Sequence, residues 1–386
     1  MKSDWNPESD DVNRDQVAAY DEMRTRCPVA YNESRSWSVF RHADVMQILG
    51  DHDTFSNAVS QHLSVPNGME PPEHGKYRQI IEPYFGPDRM NTFEPVCRDI
   101  AKELLIQVAS EATAGKLEVM GELATRFALR IQCAFLGWPS ELHDTLVRWA
   151  DNHHDATRRV DREALSRLTR ELEAIVDDLI EQRIQTKAQP DEDLTASLMH
   201  ETFKHRTLSN EEISSILRNW TVGEIGTISA SIGILIHHLA KHLDHQETLR
   251  SQLAMLPTAI DEILRVHNPL HGNRRKTTCP VKLGDRQLAA DERVYINWIS
   301  ANRDEAVFED AGTVKLDRNS DKNLLYGAGI HVCPGAPLAR MEMQVFMDEF
   351  FAKTELVTLD PTASAIQASY PVSGLVSVPV HFEFAN

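Results

Sequence analysis

Several features that mark other classes of protein are scarce in this sequence. Only five of its 386 residues are cysteines and no Cys-x-x-Cys pair occurs, which argues against a disulfide framework or a structural zinc site. The 40 basic residues are outnumbered by 58 acidic ones, giving a net charge of −18. We therefore expect no nucleic-acid partner.

Long hydrophobic runs are also missing. The most apolar stretch, around residues 232–236, is too short to span a bilayer, and the acidic N-terminus "MKSDWNPESDDVNRD" lacks the apolar core of a signal peptide. We therefore expect a cytoplasmic protein that does not bind a membrane. The length allows two or three domains or one large single-site enzyme.

Helical patterns dominate the first two-thirds of the chain. Apolar residues at helical spacing predict helices over residues 87–112 and 162–185. Strand patterns are short and lie mostly near the ends: "SWSVFR", a strand pair within residues 280–298 joined through Gly284 and Asp285, and the C-terminal "VSVPVHFEF". The sequence predicts a mainly α fold with small peripheral β-sheets.

One predicted helix is unusually long. "LSNEEI" supplies Ser209 as N-cap and Glu212 as its capping-box partner, and the helix can run to about Lys241. Its middle, "VGEIGT", contains Glu224 and two glycines. A buried carboxylate is costly unless it is paired, hydrated or protonated, so Glu224 either pairs with an arginine or histidine or has a functional role.

Cys333 has a distinctive sequence environment, "YGAGIHVCPGAPLAR", in which Gly327, Gly329 and Gly335 precede a helical pattern. Glycine allows a positive φ or close approach to a flat ligand, and the amides of a helix start favour a thiolate. Such a thiolate suits a metal better than hydrolysis, although His331 lies nearby. The alternative is a buried structural cysteine, the role expected of the other four.

This segment resembles the haem-binding signature of the cytochrome P450 family, Phe-x-x-Gly-x-x-x-Cys-x-Gly, in the extended form of bacterial members. The chain departs from it at Tyr326, whose hydroxyl needs a partner that phenylalanine would not. The resemblance implies haem b with the Cys333 thiolate as the iron ligand. It also implies haem contacts from Gly327, His331 and Gly335.

Further matches extend over nearly the whole chain and imply a single P450 domain, residues 1–386, with the P450 fold and a long central helix crossing the haem. "EILR" supplies Glu262 and Arg265, which resemble the structural Glu-x-x-Arg pair of the family. Arg318 resembles the further arginine that braces this pair. The alternative is a solvated pair on a helix surface.

The carboxylates of a haem need hydrogen-bond donors in an otherwise apolar pocket. His74 and Arg78 in "PPEHGKYR" resemble the histidine and arginine that hold the haem propionates in the family. Arg275 resembles a third donor, although the adjacent Arg274 competes for that role.

The middle of the family's central helix carries Ala/Gly-Gly-x-Asp/Glu-Thr, whose acid and threonine relay protons during oxygen activation. Two alignments are open. In one, Thr227 matches the threonine, Gly226 replaces the acid and Glu224 replaces the second glycine. In the other, Glu224 matches the acid and Ile225 replaces the threonine. We hypothesise that Glu224 and Thr227, three residues apart on one helix face, act together as the catalytic pair.

The resemblance also places substrate contacts in four segments around the expected haem. They are the loop 59–69, Trp220 and Gly223 on the central helix, Leu270, His271 and Asn273 after Glu-x-x-Arg, and residues 373–376 with Leu375. The polar side chains of His271 and Asn273 suggest a substrate with a hydroxyl, carbonyl or carboxylate group.

Together these matches imply a haem-thiolate monooxygenase that inserts one oxygen atom from O2 into a small organic substrate, by hydroxylation or by O- or N-dealkylation. Electrons would come from a separate ferredoxin or flavodoxin and its reductase, docking near Lys76, Arg89 and Arg340. The alternatives are a peroxide-driven or other atypical haem-thiolate enzyme and a non-catalytic haem sensor or ligand carrier.

Overall fold

The computed structural model describes residues 2–60, 62–112, 114–370, 372 and 374–385. Within these residues the helices are α1 (Asp10–Arg14), α2 (Gln16–Arg26), α3 (His42–Gly50), α4 (Glu73–Ile81), α5 (Pro87–Glu111), α6 (Thr125–Leu136), α7 (His143–Arg158), α8 (Arg162–Thr186), α9 (Leu194–His200), α10 (Asn210–Lys241), α11 (Leu243–Ser251), α12 (Leu256–His267), α13 (Trp298–Ala301) and α14 (Ala336–Lys353).

The strands are short. They are β1 (Val29–Asn32), β2 (Ser36–Val39), β3 (Phe55–Ser56), β4 (Lys116–Glu118), β5 (Thr202–Phe203), β6 (Arg206–Thr207), β7 (Gly272–Thr277), β8 (Val281–Leu283), β9 (Arg286–Leu288), β10 (Arg293–Asn297), β11 (Thr354–Leu359), β12 (Ile366–Gln367), β13 (Leu375–Ser377) and β14 (Pro379–Phe384). The mainly α fold with small sheets is confirmed.

The largest sheet has the strand order β1-β2-β10-β7-β3, and β2 pairs with β10 in parallel. A three-stranded sheet has the order β11-β14-β4, and the other sheets have two strands each. The predicted pair within residues 280–298 is present as β8 and β9, with Gly284 at φ +55° in the turn. The same run also contains β10, which leaves this pair and joins the largest sheet.

The central helix α10 begins and ends close to the predicted residues. Ser209 Oγ accepts a hydrogen bond from the Glu212 amide, and the Glu212 carboxylate accepts one from the Ser209 amide, so both halves of the capping box form. By length and composition α10 could cross a membrane, but 67% of its most apolar window is buried inside the protein. It packs against α6, α8, α12 and α14, which identifies it as a core helix.

Candidate functional site

The loop before α14 presents Cys333. The Cys333 amide donates to the carbonyl of Tyr326 at 2.9 Å, and Gly327 and Gly329 both have φ +71°, a conformation that favours glycine. A Cβ at Gly329 would lie 2.2 Å from the carbonyl oxygen of Leu49, whereas one at Gly327 would meet nothing within 4 Å. Gly329 therefore lets the loop pack closely, and Gly327 leaves an open face.

Cys333 is accessible, yet it lies deep enough in the molecule for burial to raise the pKa of its thiol. The amides of Gly335 and Ala336 at the start of α14, and the guanidinium of Arg78, lower that pKa, while the carboxyl of Glu224 raises it. The first turn of α14 therefore opposes the effect of burial, while the pKa of the thiol stays above its ordinary value.

Basic and imidazole side chains gather beside this loop. The ring centroids of His74 and His331 are 4.3 Å apart, and His331 Nε2 lies 3.1 Å from Glu70 Oε2. Burial, with the nearby His331 and Arg78, lowers the pKa of His74 to about 4, so its ring is neutral at pH 7. Arg275 is 5% exposed and, in the part of the chain that the structure describes, forms no ion pair. A buried guanidinium without an ion-pair partner is suited to bind an anionic ligand.

The structure also distinguishes the two neighbouring arginines of β7. Arg274 is exposed and Arg275 is buried, because successive residues of a strand point to opposite faces. Arg78, the other predicted propionate donor, donates to the Val332 carbonyl at 2.7 Å and lies 2.8 Å from the Glu82 carboxylate. Arg78 therefore fastens α4 to the Cys333 loop.

The Glu-x-x-Arg pair is buried, not solvated. Glu262 is 3% exposed and Arg265 1%. Glu262 accepts hydrogen bonds from Arg265 at 2.7 and 2.9 Å, from Arg318 Nε at 2.9 Å and from the Lys315 amide at 3.0 Å. Arg265 also donates to the carbonyl of Ala311 at 2.9 Å. This cluster ties α12 to the segment before the cysteine loop.

A cavity of about 570 Å³ lies beside α10. The helix lines it with Val222, Ile225, Gly226, Thr227 and neighbouring small residues. A Cβ at Gly223 or Gly226 would have nothing within 4 Å, and Thr227 Oγ1 donates to the Gly223 carbonyl at 2.6 Å. The middle of α10 therefore has an open surface towards the cavity, and the hydroxyl group of Thr227 lies on that surface.

Glu224 has a different environment from Thr227. Its Oε1 atom is buried without a hydrogen-bond partner in the described part of the chain, and burial raises the pKa of its carboxyl, which interacts with that of Glu342 on α14. Glu224 is not among the described residues that line the cavity. The two side chains therefore have different neighbours, and the hypothesis that Glu224 and Thr227 act together as the catalytic pair stays a prediction. A turn of three residues rotates the two side chains far enough for them to meet different neighbours.

Some of the predicted substrate residues line the cavity and others do not. Leu270, His271 and Leu375 line the cavity, together with Val376. Trp220 instead packs against the rings of Tyr84 and Phe85, with centroids 6.0 and 5.1 Å apart. Trp220 is not among the described residues that line this cavity, and its expected substrate contact stays a prediction.

Other predicted contacts lie elsewhere as well. Among the described positions, Gly223, Asn273 and the loop 59–69 do not line the cavity; Gln61 and Ser373, which belong to the predicted segments, lie outside the described residues. Asn273 Oδ1 accepts a hydrogen bond from Trp298 Nε1 at 2.7 Å. Asn273 therefore stabilises the sheet region.

His271 lines the cavity, but its ring nitrogens are already engaged. Nε2 lies 2.5 Å from Tyr20 Oη and Nδ1 lies 2.6 Å from Tyr295 Oη. Burial lowers the pKa of His271 to about 3, so the ring is neutral, with one nitrogen donating and the other accepting. The expectation that His271 offers a polar group to the substrate is corrected: its polar atoms hold the wall of the cavity.

Sequence reasoning missed two parts of the site. The first is the polar face of α7, whose Trp149, Asn152, His153 and Thr157 line the cavity; the run "WADNHHDAT" has the same pattern as a solvated helix face. The second is Glu342, which is fully buried on α14. The only local signal for Glu342 is an acid among apolar residues, and its partner is far away in sequence.

A haem requires an axial ligand, open flat surfaces and donors for its carboxylates. The described residues fit these requirements. Cys333 offers an accessible thiol, Gly223, Gly226 and Gly327 leave space that a Cβ would fill, and Arg275 is a buried cation. A thiolate ligand and donors of this kind are those that a haem takes in a haem-thiolate protein.

Comparison with known proteins agrees with this geometry. The family model "Cytochrome P450" matches residues 139–379. The chain is 29% identical over 347 residues to mycinamicin IV hydroxylase/epoxidase of Micromonospora griseorubida, covering 85% of each chain. It is 30% identical over 354 residues to nocardicin C N-oxygenase of Nocardia uniformis subsp. tsuyamanensis, covering 88% of this chain and 85% of that one. The crystal structure of CYP109E1 from Bacillus megaterium in complex with testosterone matches with a TM-score of 0.84 and 26% identity, covering 98% of this chain and 99% of that one.

Proposed function

This chain belongs to the cytochrome P450 family, and on that premise we propose that its cavity binds a small organic substrate for oxygenation over a haem held by Cys333. It is a haem-thiolate monooxygenase, as the family and relatives named hydroxylase/epoxidase and N-oxygenase support. The bound haem supplies the activation of dioxygen. The observation that carries the proposal is the accessible Cys333 thiol at the start of α14, in electrostatic contact with the middle of α10.

The haem contacts follow from the side chains around the cysteine loop. Cys333 would ligate the iron through Sγ, and the open backbone of Gly327 and Gly335 would lie against the ring. Arg275, with His74 and His331, would hold the carboxylates, because the two rings are 4.3 Å apart and the guanidinium is buried. Glu70, which pairs with His331, also interacts with Arg275. We propose one P450 domain over residues 1–386.

We propose a largely apolar substrate with a neutral or basic polar group. The cavity of about 570 Å³ falls in the range typical of small-molecule sites. Its α10 and C-terminal walls are mostly apolar, and α7 adds Asn152, His153 and Thr157. Among its described lining residues there are carboxylates, including Asp151 and Asp155, but neither lysine nor arginine. We therefore propose a substrate with a hydroxyl or carbonyl group rather than the carboxylate that the sequence also suggested.

Electrons would come from a separate ferredoxin or flavodoxin and its reductase, and we place the enzyme in the cytoplasm. Lys76, Arg89 and Arg340 are exposed and would attract an acidic partner. Arg340 also pairs with Asp261 at 3.0 Å, so Lys76 and Arg89 provide more of the available positive charge.

Thr227 would pass protons into the cavity. Its hydroxyl donates a hydrogen bond to the Gly223 carbonyl at 2.6 Å, which leaves the lone pairs of the oxygen free to accept a hydrogen bond from a group on the cavity side. Proton delivery by a positioned side chain typically contributes about 10²–10⁴-fold to a rate. Without it, consumed electrons are diverted to reduced oxygen species.

Turnover of the purified holoenzyme tests this function. Oxygenated product is expected with O2, a ferredoxin and a reductase, and equal product from peroxide alone would favour the peroxide-driven alternative. Thr227→Val should lower the product formed per electron consumed. Thr169→Val is the matched control, because Thr169 Oγ1 makes the same bond to the carbonyl four residues earlier, on α8. Equal losses in both variants would contradict the role of Thr227.

A further inference from the structure

A cluster of imidazole rings lies where the end of α10 meets α11 and α12. It is centred on His238, whose ring centroid is 4.5 Å from that of His242, 5.2 Å from that of His245 and 5.5 Å from that of His267. His238 is 3% exposed, whereas His267 is an exposed residue. None of these four residues lines the cavity beside the middle of α10, and the proposed function makes no use of them.

The ring of His238 makes one hydrogen bond. Its Nε2 lies 2.9 Å from Nδ1 of His245 on α11, while its Nδ1 is buried without a hydrogen-bond partner in the described part of the chain. A proton on Nδ1 would be a buried donor without an acceptor, which is costly. We therefore assign the proton of the neutral ring to Nε2, from which it is donated to His245.

A second proton on His238 is strongly disfavoured in this arrangement. It would place an unpaired N–H at the buried Nδ1 and a positive charge in a poorly hydrated cluster. The titratable groups that act directly on the ring from α10, α11 and α12 would each repel that charge; they are His237, His242, His245 and His267. Burial and these neighbours lower the pKa of His238 to about 2.

The charged side chains beyond the cluster do not compensate for this repulsion. Lys241 at the end of α10 acts on His242 and His267, and Arg303, which follows α13, acts on His267. Asp244 of α11 is an acid, but it is exposed and acts on His242. The central ring of the cluster therefore remains neutral while α11 is in place.

The helix α11 is nine residues long and can open without the rest of the fold. The side chain of its buried Gln246 donates to the carbonyls of Leu239 and Val357 at 3.0 and 2.9 Å and accepts from the Val357 amide at 3.0 Å. The contact between His245 and His238 is a further attachment. Short elements with few attachments open locally, and opening of α11 would bring His238 into contact with water.

We propose that His238 is an acid-sensitive latch that holds α11 against the end of α10. As a neutral ring it donates to His245 and keeps α11 closed. Once α11 opens, His238 takes up a proton from water, and the imidazolium is disfavoured in the buried cluster. Acid therefore shifts the equilibrium towards open α11.

The direction and size of the effect follow from the two states of His238. Its pKa is about 2 with α11 closed and returns to the ordinary value of 6.5 once the ring is hydrated. The stabilisation of the closed form is therefore complete above pH 6.5 and is lost as the pH falls below it. Protonation of this one ring should raise the ratio of open to closed α11 about tenfold between pH 7.5 and pH 5.5.

Hydrogen exchange of the holoprotein, followed by mass spectrometry, tests the latch. EDTA is present so that bound metal ions do not contribute. After correction for the intrinsic exchange rate at each pH, the amides of α11 should exchange about tenfold faster at pH 5.5 than at pH 7.5. The helix α8 contains no histidine and should show no such change.

Three variants separate the roles of the imidazoles. His238→Gln keeps an amide that can donate to His245 but does not titrate, so the pH dependence of α11 should be lost. His245→Gln keeps an acceptor for His238 and should retain it, as should His62→Gln, which alters an exposed histidine outside the cluster.

Three results would overturn the proposal. They are the absence of the tenfold change from α11 of the parent, an unchanged pH dependence in His238→Gln, and an equal change in α8, since the opening would then be global. The comparison of α11 with α8 in the parent needs no variant, so it decides the question even if a substitution prevents folding.

Discussion

Replacing Glu262 by glutamine should destabilise the protein strongly, because Glu262 is the only anion of a buried cluster of described residues that contains two arginines. Its carboxylate accepts two hydrogen bonds from Arg265 and one each from Arg318 and the Lys315 amide, all between 2.7 and 3.0 Å. Glutamine keeps the shape but removes the charge, so Arg265, 1% exposed, becomes a buried cation without a counterion.

Removing one partner of a buried ion pair typically costs about 3–5 kcal/mol. For a chain of 386 residues, the entropy of unfolding near the midpoint is about 0.8 kcal/mol/K, and the same loss lowers the midpoint temperature by about 4–6 °C. Although burial alone would raise the pKa of Glu262, the hydrogen bonds from Arg265, Lys315 and Arg318 bring it below its ordinary value. The stabilisation is therefore present above the ordinary pKa of a glutamate and is lost as the pH falls through the lowered one.

Urea unfolding at pH 7, followed by circular dichroism and by the haem spectrum, measures this loss. Glu22→Gln is the control, because the Glu22–Arg26 pair has side chains 66% and 59% exposed and should lose less than about 0.5 kcal/mol. A loss for Glu262→Gln below about 1 kcal/mol would refute the reasoning.

Three further predictions concern single side chains. Arg275→Gln should lower the haem content of the purified protein, whereas the same change at exposed Arg274 should not; equal haem content in both variants would contradict the assignment. Tyr326→Phe should stabilise the protein by about 1 kcal/mol in urea unfolding, because the Tyr326 hydroxyl is buried without a partner in the described chain; a comparable destabilisation would reveal a bond to that hydroxyl. Because burial and Glu224 raise the pKa of Glu342, the folded protein holds a proton that the unfolded chain releases above pH 4.5. Its stability should therefore fall as the pH rises, and Glu342→Gln should flatten this slope; an unchanged slope would contradict it.

The parts of the site that the sequence predicts are those encoded by local patterns. The glycine loop around Cys333, the capping box at Ser209 and Glu212, and the Glu262–Arg265 pair each depend on residues close together in the chain. Local geometry alone brings such groups together. The family assignment and the haem-thiolate chemistry followed from them and are confirmed.

The parts that the sequence did not predict depend on contacts between distant segments. The ring of His271 lies between Tyr20 and Tyr295, and nothing in the sequence near His271 indicates that its nitrogens are engaged. The environment of Glu224 depends on how α10 is rotated against α14. Over a long helix, a difference of a few degrees per residue adds up to a large change in that rotation. The roles of individual haem and substrate residues stay predictions.

The spectrum of the reduced, carbon monoxide-treated protein tests the central claim most directly, namely that Cys333 binds haem iron as a thiolate. The parent should show the Soret band of a thiolate-ligated haem, and Cys333→Ala should lose it while Cys97→Ala keeps it, since Cys97 is buried in the apolar core. A thiolate-type band that survives in Cys333→Ala, or that is absent from the haem-loaded parent, would contradict the account.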